Sequence, residues 1–330
     1  MTTATASDVE LVVAELRFGS RFLLTTHEGP DGDALGSLLG LQAILTQLGK
    51  DSVMFLAAKE FPLPVEYRFL PLTDVFHEPP VDIVDRTVVF LDCGNIDRTA
   101  ADFLRQRNDR PVLNVDHHHD NTRFGTINLV DTSASCTAEI VYEIARRLGA
   151  EITPGIACAL YVALVTDTGR FSYENTGPAA HRMAAELIEA GVDVHDTYRR
   201  LYERVPVEKL RLVARALDSI EQYDDRALAI TYISAADYEA AGAEEVLTEG
   251  IIDYVRSLEG TQLAAVVRDR AEAAGPRRKV SLRSTGADID VSAIARRHGG
   301  GGHRRAAGFS TDLPYPELVA ALRAELAARR

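Results

Sequence analysis

An aspartate followed by three histidines, Asp116 to His119, stands directly after the apolar residues 111–115. A short apolar run of this kind predicts a buried strand. In α/β proteins, ligands and metal ions bind at the carboxyl ends of parallel strands. This feature therefore favours an α/β fold with a metal site at one edge of its sheet.

Three further segments, residues 26–37, 88–98 and 162–171, combine acidic residues with neighbouring apolar runs. The donors that the four segments supply are His27, Asp31, Asp33, Asp92, His117 and Asp167. Carboxylates with one or two imidazoles suit hard, octahedral ions, so manganese or magnesium is favoured over structural zinc. Two such ions about 3.5–4 Å apart clamp a phosphoryl group and lower the pKa of a bridging water. The donor set thus predicts a two-metal phosphohydrolase that needs no protein nucleophile.

Each segment alone also has a purely structural interpretation. Pro30 and Gly32 favour a turn, in which Asp31 would cap the following helix. Asp92 is an ordinary residue for a strand end, and Asp167 would suit a helix C-terminus. Their clustering favours the metal site, because five of the nine histidines lie in the motifs: His27, His117, His118, His119 and His303.

Length and composition predict a soluble protein of about two domains. The chain has 330 residues, of which 46% are hydrophobic. A net charge of −13 argues against a general nucleic-acid coat protein, which must neutralise many phosphates. The first residues are polar, which argues against a signal peptide. The longest apolar run, residues 157–165, is too short to span a membrane. The three cysteines have neither metal-like nor disulfide spacing, which favours free thiols in the cytoplasm.

Short apolar runs alternate with helical patterns in the first half of the chain. The predicted strands are residues 21–26, 53–58, 87–92 and 111–115, and the predicted helices are 34–48 and 138–148. Gly49 and Gly149 are expected at the C-termini of the two helices. This alternation predicts a parallel sheet with helices on both faces.

A different pattern begins after a charged helical stretch. The later predicted strands are 227–233, 262–268 and 279–284, and the later helices are 235–241, 248–257, 291–298 and 315–328. The fold class is therefore α/β, with a parallel-sheet catalytic domain over residues 1–195. A helical linker over 196–224 and a smaller α/β domain with a mixed sheet over 225–330 complete the prediction.

The chain resembles the DHH phosphoesterases that carry a C-terminal DHHA1 domain, over nearly its whole length. HEGPDGDALGS, LDCGNIDR, VDHH and TDTGRF match the four DHH motifs, and GGGHRRAAGF matches the glycine-rich signature of the DHHA1 domain. Within that superfamily the chain is similar to the nanoRNase and 3'-phosphoadenosine 5'-phosphate phosphatase proteins.

The resemblance implies two Mn²⁺ ions per chain, with Mg²⁺ or Co²⁺ as substitutes. His27 and Asp31 would bind the first ion, Asp92 would bridge the two, and the second would be bound by Asp33, His117 and Asp167. His118 would face the substrate phosphate, and Asp116 would orient an imidazole. Arg98 would reach phosphate, although a surface ion pair is at least as good an interpretation of it.

Basic residues crowd the C-terminal part of this acidic chain: Arg277, Arg278, Lys279, Arg283, Arg296, Arg297, Arg304 and Arg305. Gly301 and Gly302 let backbone N–H groups approach an anion closely. By chemistry and by resemblance, Arg283 and His303 are the best candidates to hold a terminal phosphate. A solvated basic face is the preferred interpretation of Arg277 and Arg278.

These expectations describe a manganese-dependent phosphohydrolase that holds short nucleotides in a cleft between a metal-bearing domain and a basic one. The resemblance implies nanoRNA and 3'-phosphoadenosine 5'-phosphate as substrates, and in some members cyclic di-AMP or its linear product pApA. No membrane and no stable complex with long nucleic acid are expected, and a homodimer is left open. The alternatives are a RecJ-like single-strand exonuclease, a family II pyrophosphatase and a non-catalytic nucleotide-sensing module. A sensor would be expected to lack a metal ligand, and none is missing.

Overall fold

The computed structural model describes residues 5–99, 102–105, 111–270, 277–286 and 288–328. The chain divides into two compact units, Met1–Arg204 and Val205–Arg330. This boundary falls inside residues 196–224, for which the sequence predicts a helical linker. None of the described helices is long and apolar enough to cross a membrane.

The first unit is built on a parallel sheet, which confirms the prediction from sequence. Its strands are β1 (Arg21–Thr25), β2 (Asp51–Phe55), β3 (Val75–Phe76), β4 (Thr87–Leu91), β5 (Val112–Asp116) and β6 (Ile127–Val130). They lie in the order β3-β2-β1-β4-β5-β6, and every pair of neighbours is parallel. Because the chain proceeds from β1 to one side and from β4 to the other, the switch point of the topology lies between β1 and β4. Their carboxyl ends lead directly to His27 and Asp92.

The helices of the first unit that the structure describes are α1 (Ala6–Phe18), α2 (Gly32–Gln47), α3 (Thr137–Leu148), α4 (Pro154–Asp167), α5 (Pro178–Glu189) and α6 (Val194–Tyr202). Alternate residues of a strand point to opposite faces of its sheet. Phe22 and Leu24 of β1 accordingly face a large core that includes residues of α1 to α5. Leu23 faces a smaller core that includes Leu104, in the 3₁₀ helix Asp102–Arg105. Helical segments thus cover both faces, with α-helices on one and short 3₁₀ helices on the other.

Glycines allow α2 and α4 to pack closely together. A Cβ atom on Gly36 would lie 2.3 Å from the backbone oxygen of Ala159, and one on Gly32 would lie 2.2 Å from Oγ1 of Thr166. Any larger residue would push the helices apart. The close approach places the first turn of α2, with Asp33, beside the last residue of α4, Asp167.

The second unit contains a mixed sheet, as predicted. Its strands are β7 (Glu221–Tyr223), β8 (Leu228–Ile233), β9 (Leu263–Asp269), β10 (Arg278–Ser284), β11 (Gly301–His303) and β12 (Ala306–Thr311). The order is β11-β12-β10-β9-β8-β7, in which only β8 and β9 among these described strands run parallel.

Helices cover the two faces of this second sheet. The helices described are α7 (Val207–Asp218), α8 (Ala235–Ala241), α9 (Ile251–Arg256), α10 (Val291–Arg297) and α11 (Tyr315–Ala327). Residues of α7, α8 and α9 form one core with β8 and β9, and residues of α10 and α11 form another on the opposite face. Leu212 and Ala216 of α7 are buried in the first of these cores, so α7 is part of the second unit.

Candidate metal centre

The carboxyl edge of the first sheet brings together side chains from all four acidic segments. Their donor atoms form three groups, within each of which all atoms lie within 4.8 Å of one another. The groups are His27, Asp31 and Asp92; Asp33, His117 and Asp167; and Asp92, His117 and His118. The first group contains the ligands expected for one cation, and the second contains the remaining ligands expected for the other. Asp92 is not a member of the second group, but its Oδ1 atom lies 3.7 Å from Nε2 of His117, which is a member.

The Nε2 atom of His117 lies among three carboxylates that come from different segments. It is 3.7 Å from Oδ2 of Asp33, 3.7 Å from Oδ1 of Asp92 and 3.6 Å from Oδ2 of Asp167. These distances are too long for hydrogen bonds. Donors that share one small hard cation at about 2.1 Å lie roughly 3 Å or more apart, so this arrangement fits such an ion.

The ring of His27 is oriented by a backbone contact. Its Nδ1 atom lies 2.8 Å from the carbonyl oxygen of Glu28, which accepts a hydrogen bond from it. Its Nε2 atom lies 3.5 Å from Oδ2 of Asp92. A histidine that binds a metal commonly donates its other N–H to a carbonyl in this way. Arg98 lies beside the same ring, with Nη2 3.4 Å from Nδ1 of His27.

Asp31 caps α2, which confirms its structural interpretation. Its Oδ1 atom accepts hydrogen bonds from the backbone N–H groups of Asp33 and Ala34, both at 3.1 Å. The cap uses Oδ1, and Asp31 still offers an oxygen close to His27 and Asp92. One residue therefore starts the helix and faces the candidate site.

Asp92 is a buried residue with an unusual backbone conformation. Its φ of 56° lies in the left-handed region, which disfavours side chains other than glycine and is often populated at functional sites. Burial tends to raise the pKa of Asp92, but the His27 hydrogen bond and the charges of His118 and His117 hold this pKa well below its ordinary value. Asp92 is thus a carboxylate at neutral pH.

The other two carboxylates around His117 hold their protons more tightly. Burial and the charges of Asp92 and Asp167 raise the pKa of Asp33 well above its ordinary value. Burial raises the pKa of Asp167 to about 7, against the charge of His117 and with the help of Asp31 and Asp92. Repulsion between these carboxylates thus adds to the effect of burial in both cases, and a bound cation would relieve it.

Asp116 binds both the backbone and the ring of His118. The carboxylate is fully buried, and its Oδ1 atom accepts bonds from the backbone N–H groups of His117 and His118 at 2.8 and 3.2 Å. The Nδ1 atom of His118 lies 2.7 Å from the same oxygen. Burial lowers the pKa of His118, but the charge and the hydrogen bond of Asp116 outweigh it and raise this pKa to about 10. His119, the remaining histidine of the motif, is exposed.

In the second unit, backbone register aligns the predicted phosphate-binding residues. Ala306 of β12 is paired with Arg283 of β10 on one side and with His303 of β11 on the other. Arg283 is half-buried, and its Nη1 atom donates to the backbone oxygen of Leu282 at 3.1 Å. The side chain of His303 lies outside the described part of the structure.

The two glycines assigned to phosphate differ in what the fold requires of them. Gly302 has a φ of 135°, and a Cβ atom there would lie 2.5 Å from the backbone oxygen of Ala306. The fold therefore requires glycine at position 302. A Cβ atom on Gly301 would meet nothing within 4 Å, so open space lies beside this residue.

Other basic residues of the second unit have structural partners. Arg278 donates to the backbone oxygen of Leu313 at 2.9 Å, and Arg297 forms an ion pair with Glu325. Arg278 is therefore not on the solvated face expected from the sequence, because its side chain is only 18% exposed and lies 3.6 Å from Asp269.

The sequence did not single out Thr137 or Asn175, which contact candidate ligands directly. Thr137 donates to Asp33 and Asp92, and Asn175 donates to Asp167. Little in the sequence could have identified these two residues, because a threonine at the start of a helix and an asparagine in a loop are common.

Two domain models match the chain. Residues 21–164 match the DHH family, N-terminal domain, and residues 227–329 match the DHHA1 domain. The chain is 34% identical over 309 residues to the bifunctional oligoribonuclease and PAP phosphatase NrnA of Thermus thermophilus, covering 92% of this chain and 89% of that protein. It is 25% identical to the protein of the same name from Bacillus subtilis, covering 87% and 88% of the two chains.

Two solved structures have the same fold. An exopolyphosphatase-related protein from Bacteroides fragilis superposes with a TM-score of 0.86 at 22% identity, over 99% of this chain and 98% of that one. RecJ from Thermus thermophilus, in complex with Mn²⁺, gives a TM-score of 0.51 at 17% identity, over 98% of this chain and 54% of RecJ. With the motifs, the fold and a relative at 34% identity in agreement, the chain belongs to the DHH family of hydrolytic phosphoesterases and carries a C-terminal DHHA1 domain.

Proposed function

We propose that this protein is a manganese-dependent hydrolase of short nucleotides. It cleaves oligoribonucleotides of a few residues, and it converts 3'-phosphoadenosine 5'-phosphate to AMP and phosphate. The observation that carries the proposal is the position of His117 Nε2, 3.6–3.7 Å from carboxylate oxygens of Asp33, Asp92 and Asp167. The relative that is 34% identical is named for both activities, which supports this choice of substrates.

In this proposal two cations share Asp92. His27 and Asp31 complete the first set of ligands, and Asp33, His117 and Asp167 complete the second. Carboxylates and imidazoles of this kind suit Mn²⁺, with Mg²⁺ or Co²⁺ as substitutes. Bound cations supply positive charge to phosphoryl oxygens and lower the pKa of an attacking water.

His118 is assigned to the substrate rather than to a cation. Its Nδ1 atom lies 2.7 Å from Asp116, and Nε2 is assigned the bond to a phosphate oxygen or to the leaving oxygen. Asp116 keeps the ring protonated and in one orientation, because it binds Nδ1 from a fully buried position. Asp116 is therefore a positioning residue for His118.

Binding of the rest of the nucleotide is assigned mainly to the second unit. Arg283 and His303 hold a phosphate remote from the scissile bond, and the backbone at Gly301 and Gly302 lies against the same group. The shared register position of Arg283 and His303 supports this pairing. Arg98, which lies next to His27, is assigned to phosphate on the metal side.

A panel of substrates with Mn²⁺ tests the proposal. The panel contains 3'-phosphoadenosine 5'-phosphate, dinucleotides, oligoribonucleotides of increasing length and long single strands. We expect rapid hydrolysis of the bisphosphate and of the shortest oligonucleotides, and a steep fall in rate as the chain lengthens. Cyclic di-AMP and pApA belong in the same panel as further proposed substrates.

Two results would contradict the proposal in different ways. Equal or higher rates on long single strands would favour the RecJ-like exonuclease. Tight nucleotide binding without turnover of any substrate, in protein that holds Mn²⁺, would favour the nucleotide-sensing module.

A further inference from the structure

The first turn of α3 contacts the carboxylates around His117 in a regular pattern. Oδ2 of Asp33 accepts a bond from the backbone N–H of Thr137 at 2.7 Å. Oδ1 of Asp92 accepts a bond from the hydroxyl of the same threonine at 3.0 Å. One residue thus joins a carboxylate from α2 to a carboxylate from the end of β4.

Asp167 is tied to the same turn through Asn175. The Nδ2 atom of Asn175 lies 3.2 Å from Oδ2 of Asp167 and 2.7 Å from the backbone oxygen of Ser135. Ser135 in turn donates its backbone N–H to Oε2 of Glu139, inside α3, at 2.8 Å. The turn of residues 135–138 is therefore fixed by its own helix, contacts Asp33 and Asp92 directly, and is joined to Asp167 through Asn175.

Each carboxylate oxygen that faces His117 accepts one of these hydrogen bonds. Oδ2 of Asp33, Oδ1 of Asp92 and Oδ2 of Asp167 lie 3.7, 3.7 and 3.6 Å from His117 Nε2. A carboxylate oxygen has two lone pairs. The turn of residues 135–138, together with Asn175, occupies one lone pair of each oxygen and so directs the other.

Ser37 provides an informative contrast. Its hydroxyl donates to Oδ1 of Asp33 at 3.1 Å. The other oxygen of this carboxylate, Oδ2, is the one that lies 3.7 Å from Nε2 of His117. The backbone N–H of Ala138 binds that same oxygen at 3.0 Å. Loss of Ser37 therefore leaves Oδ1 with another donor, and the backbone N–H of Thr137 still binds Oδ2.

We propose that Thr137 is a positioning residue for the metal centre: it fixes the Asp92 oxygen relative to that of Asp33, and Asn175 extends the same control to Asp167. This inference rests on the proposed function, because it takes these three residues to be cation ligands. Groups that orient metal ligands typically contribute about 10- to 100-fold in metal affinity. Thr137 is fully buried, so no water can replace its hydroxyl.

Calorimetric titration of the metal-free, full-length protein with Mn²⁺ tests the proposal. Thr137→Val removes the hydroxyl and nearly preserves the shape, and we expect it to lower the affinity for Mn²⁺ by about 10- to 100-fold. Thr137→Ser, which retains the hydroxyl, should bind Mn²⁺ almost as tightly as the wild type. Asn175→Ala, at an exposed position that tolerates a smaller side chain, should also weaken binding.

Thr231→Val is the matched control. Thr231 is also fully buried, and its hydroxyl donates to a backbone oxygen, that of Ala216, in the second unit. This change should lower the melting temperature of the metal-free protein and leave the affinity for Mn²⁺ unchanged. The control separates a general loss of stability from the loss of positioning.

The outcomes distinguish this inference from the function on which it rests. Wild-type protein that binds no Mn²⁺ would overturn the proposed metal centre itself. Wild-type protein that binds Mn²⁺ while Thr137→Val and Asn175→Ala bind it equally well would overturn only the positioning role. Failure of Thr137→Ser to restore binding would do the same, because the hydroxyl would then not be the group that matters.

Discussion

The Nδ1 atom of His118 and the Oδ1 atom of Asp116 lie 2.7 Å apart in the interior of the first unit, where the Asp116 carboxylate has no exposed surface. This pair decides what the second histidine of the motif can do. Nδ1 of His118 contacts a carboxylate, and Nε2 is the atom that the proposed function assigns to the substrate, while Nε2 of His117 lies 3.6–3.7 Å from three carboxylates.

We expect His118→Ala to lower kcat/KM on a nucleotide and on bis-p-nitrophenyl phosphate alike, since His118 acts at the reacting phosphate. General acid catalysis of this kind contributes about 10²–10⁴-fold. Asp116→Asn should show a smaller loss in the same direction, because the ring loses the charge that favours its protonated form. Both variants should keep their Mn²⁺, which metal analysis can check. Loss of a metal ion from His118→Ala would instead make His118 a ligand.

Arg283→Ala should separate binding of the nucleotide from the chemistry at the metals. Removal of a charge-assisted hydrogen bond costs about 1.5–3 kcal/mol, which is roughly a ten- to hundredfold loss. We expect that loss in kcat/KM for 3'-phosphoadenosine 5'-phosphate and little change for bis-p-nitrophenyl phosphate. The ratio of the two values cancels errors in the active fraction. Equal losses on both substrates would show that Arg283 supports the fold or the metal site instead.

Gly301→Ala should change KM but not stability, whereas Gly302→Ala should lower stability. Position 301 has open space for a methyl group, so Gly301→Ala should leave the melting temperature unchanged and raise KM for the nucleotide. Position 302 has a φ of 135°, so alanine there should destabilise the protein by about 1–3 kcal/mol. Thermal melts and steady-state kinetics on the two variants give the comparison. Unaltered KM in Gly301→Ala would remove this backbone from the proposed phosphate site.

Asp167 should make the stability of the metal-free protein depend on pH. Its pKa is raised by burial from 3.8 to about 7, so the folded chain retains a proton that the unfolded chain has lost between these values. The stability from this group is therefore present below pH 4 and is lost as the pH rises towards 7. In EDTA, Asp167→Asn should gain melting temperature relative to the wild type between pH 5 and pH 8. A difference that does not change with pH would contradict this assignment.

Much of the fold follows from local patterns. The central strands β1, β4 and β5 were predicted to within a residue or two, because buried parallel strands are short apolar runs with clear ends. Gly149 ends α3 in the left-handed conformation that its place in the sequence predicts. The ligand types and their four segments were also visible, since carboxylates and imidazoles after strands are rare enough to stand out.

Features that depend on contacts between distant residues were not visible. Strand β11, Gly301–His303, is mostly glycine and has no strand pattern; it exists because β12 pairs with it. The left-handed φ of Asp92 leaves no trace in the residue itself. The contacts of Thr137 form because α3 brings this residue within 3.0 Å of oxygen atoms of Asp92 and Asp33. These two residues lie 45 and 104 positions away in the sequence.

The most direct test of the central claim is a count of Mn²⁺ ions bound per chain in the wild type and in Asp92→Asn. Asp92 is the one residue assigned to both cations, so its substitution weakens both sites together. We predict two ions per chain in the wild type, and a loss of both ions and of turnover in Asp92→Asn without loss of the fold, as judged by circular dichroism. Retention of two tightly bound ions and of substantial activity in Asp92→Asn would contradict the shared metal centre.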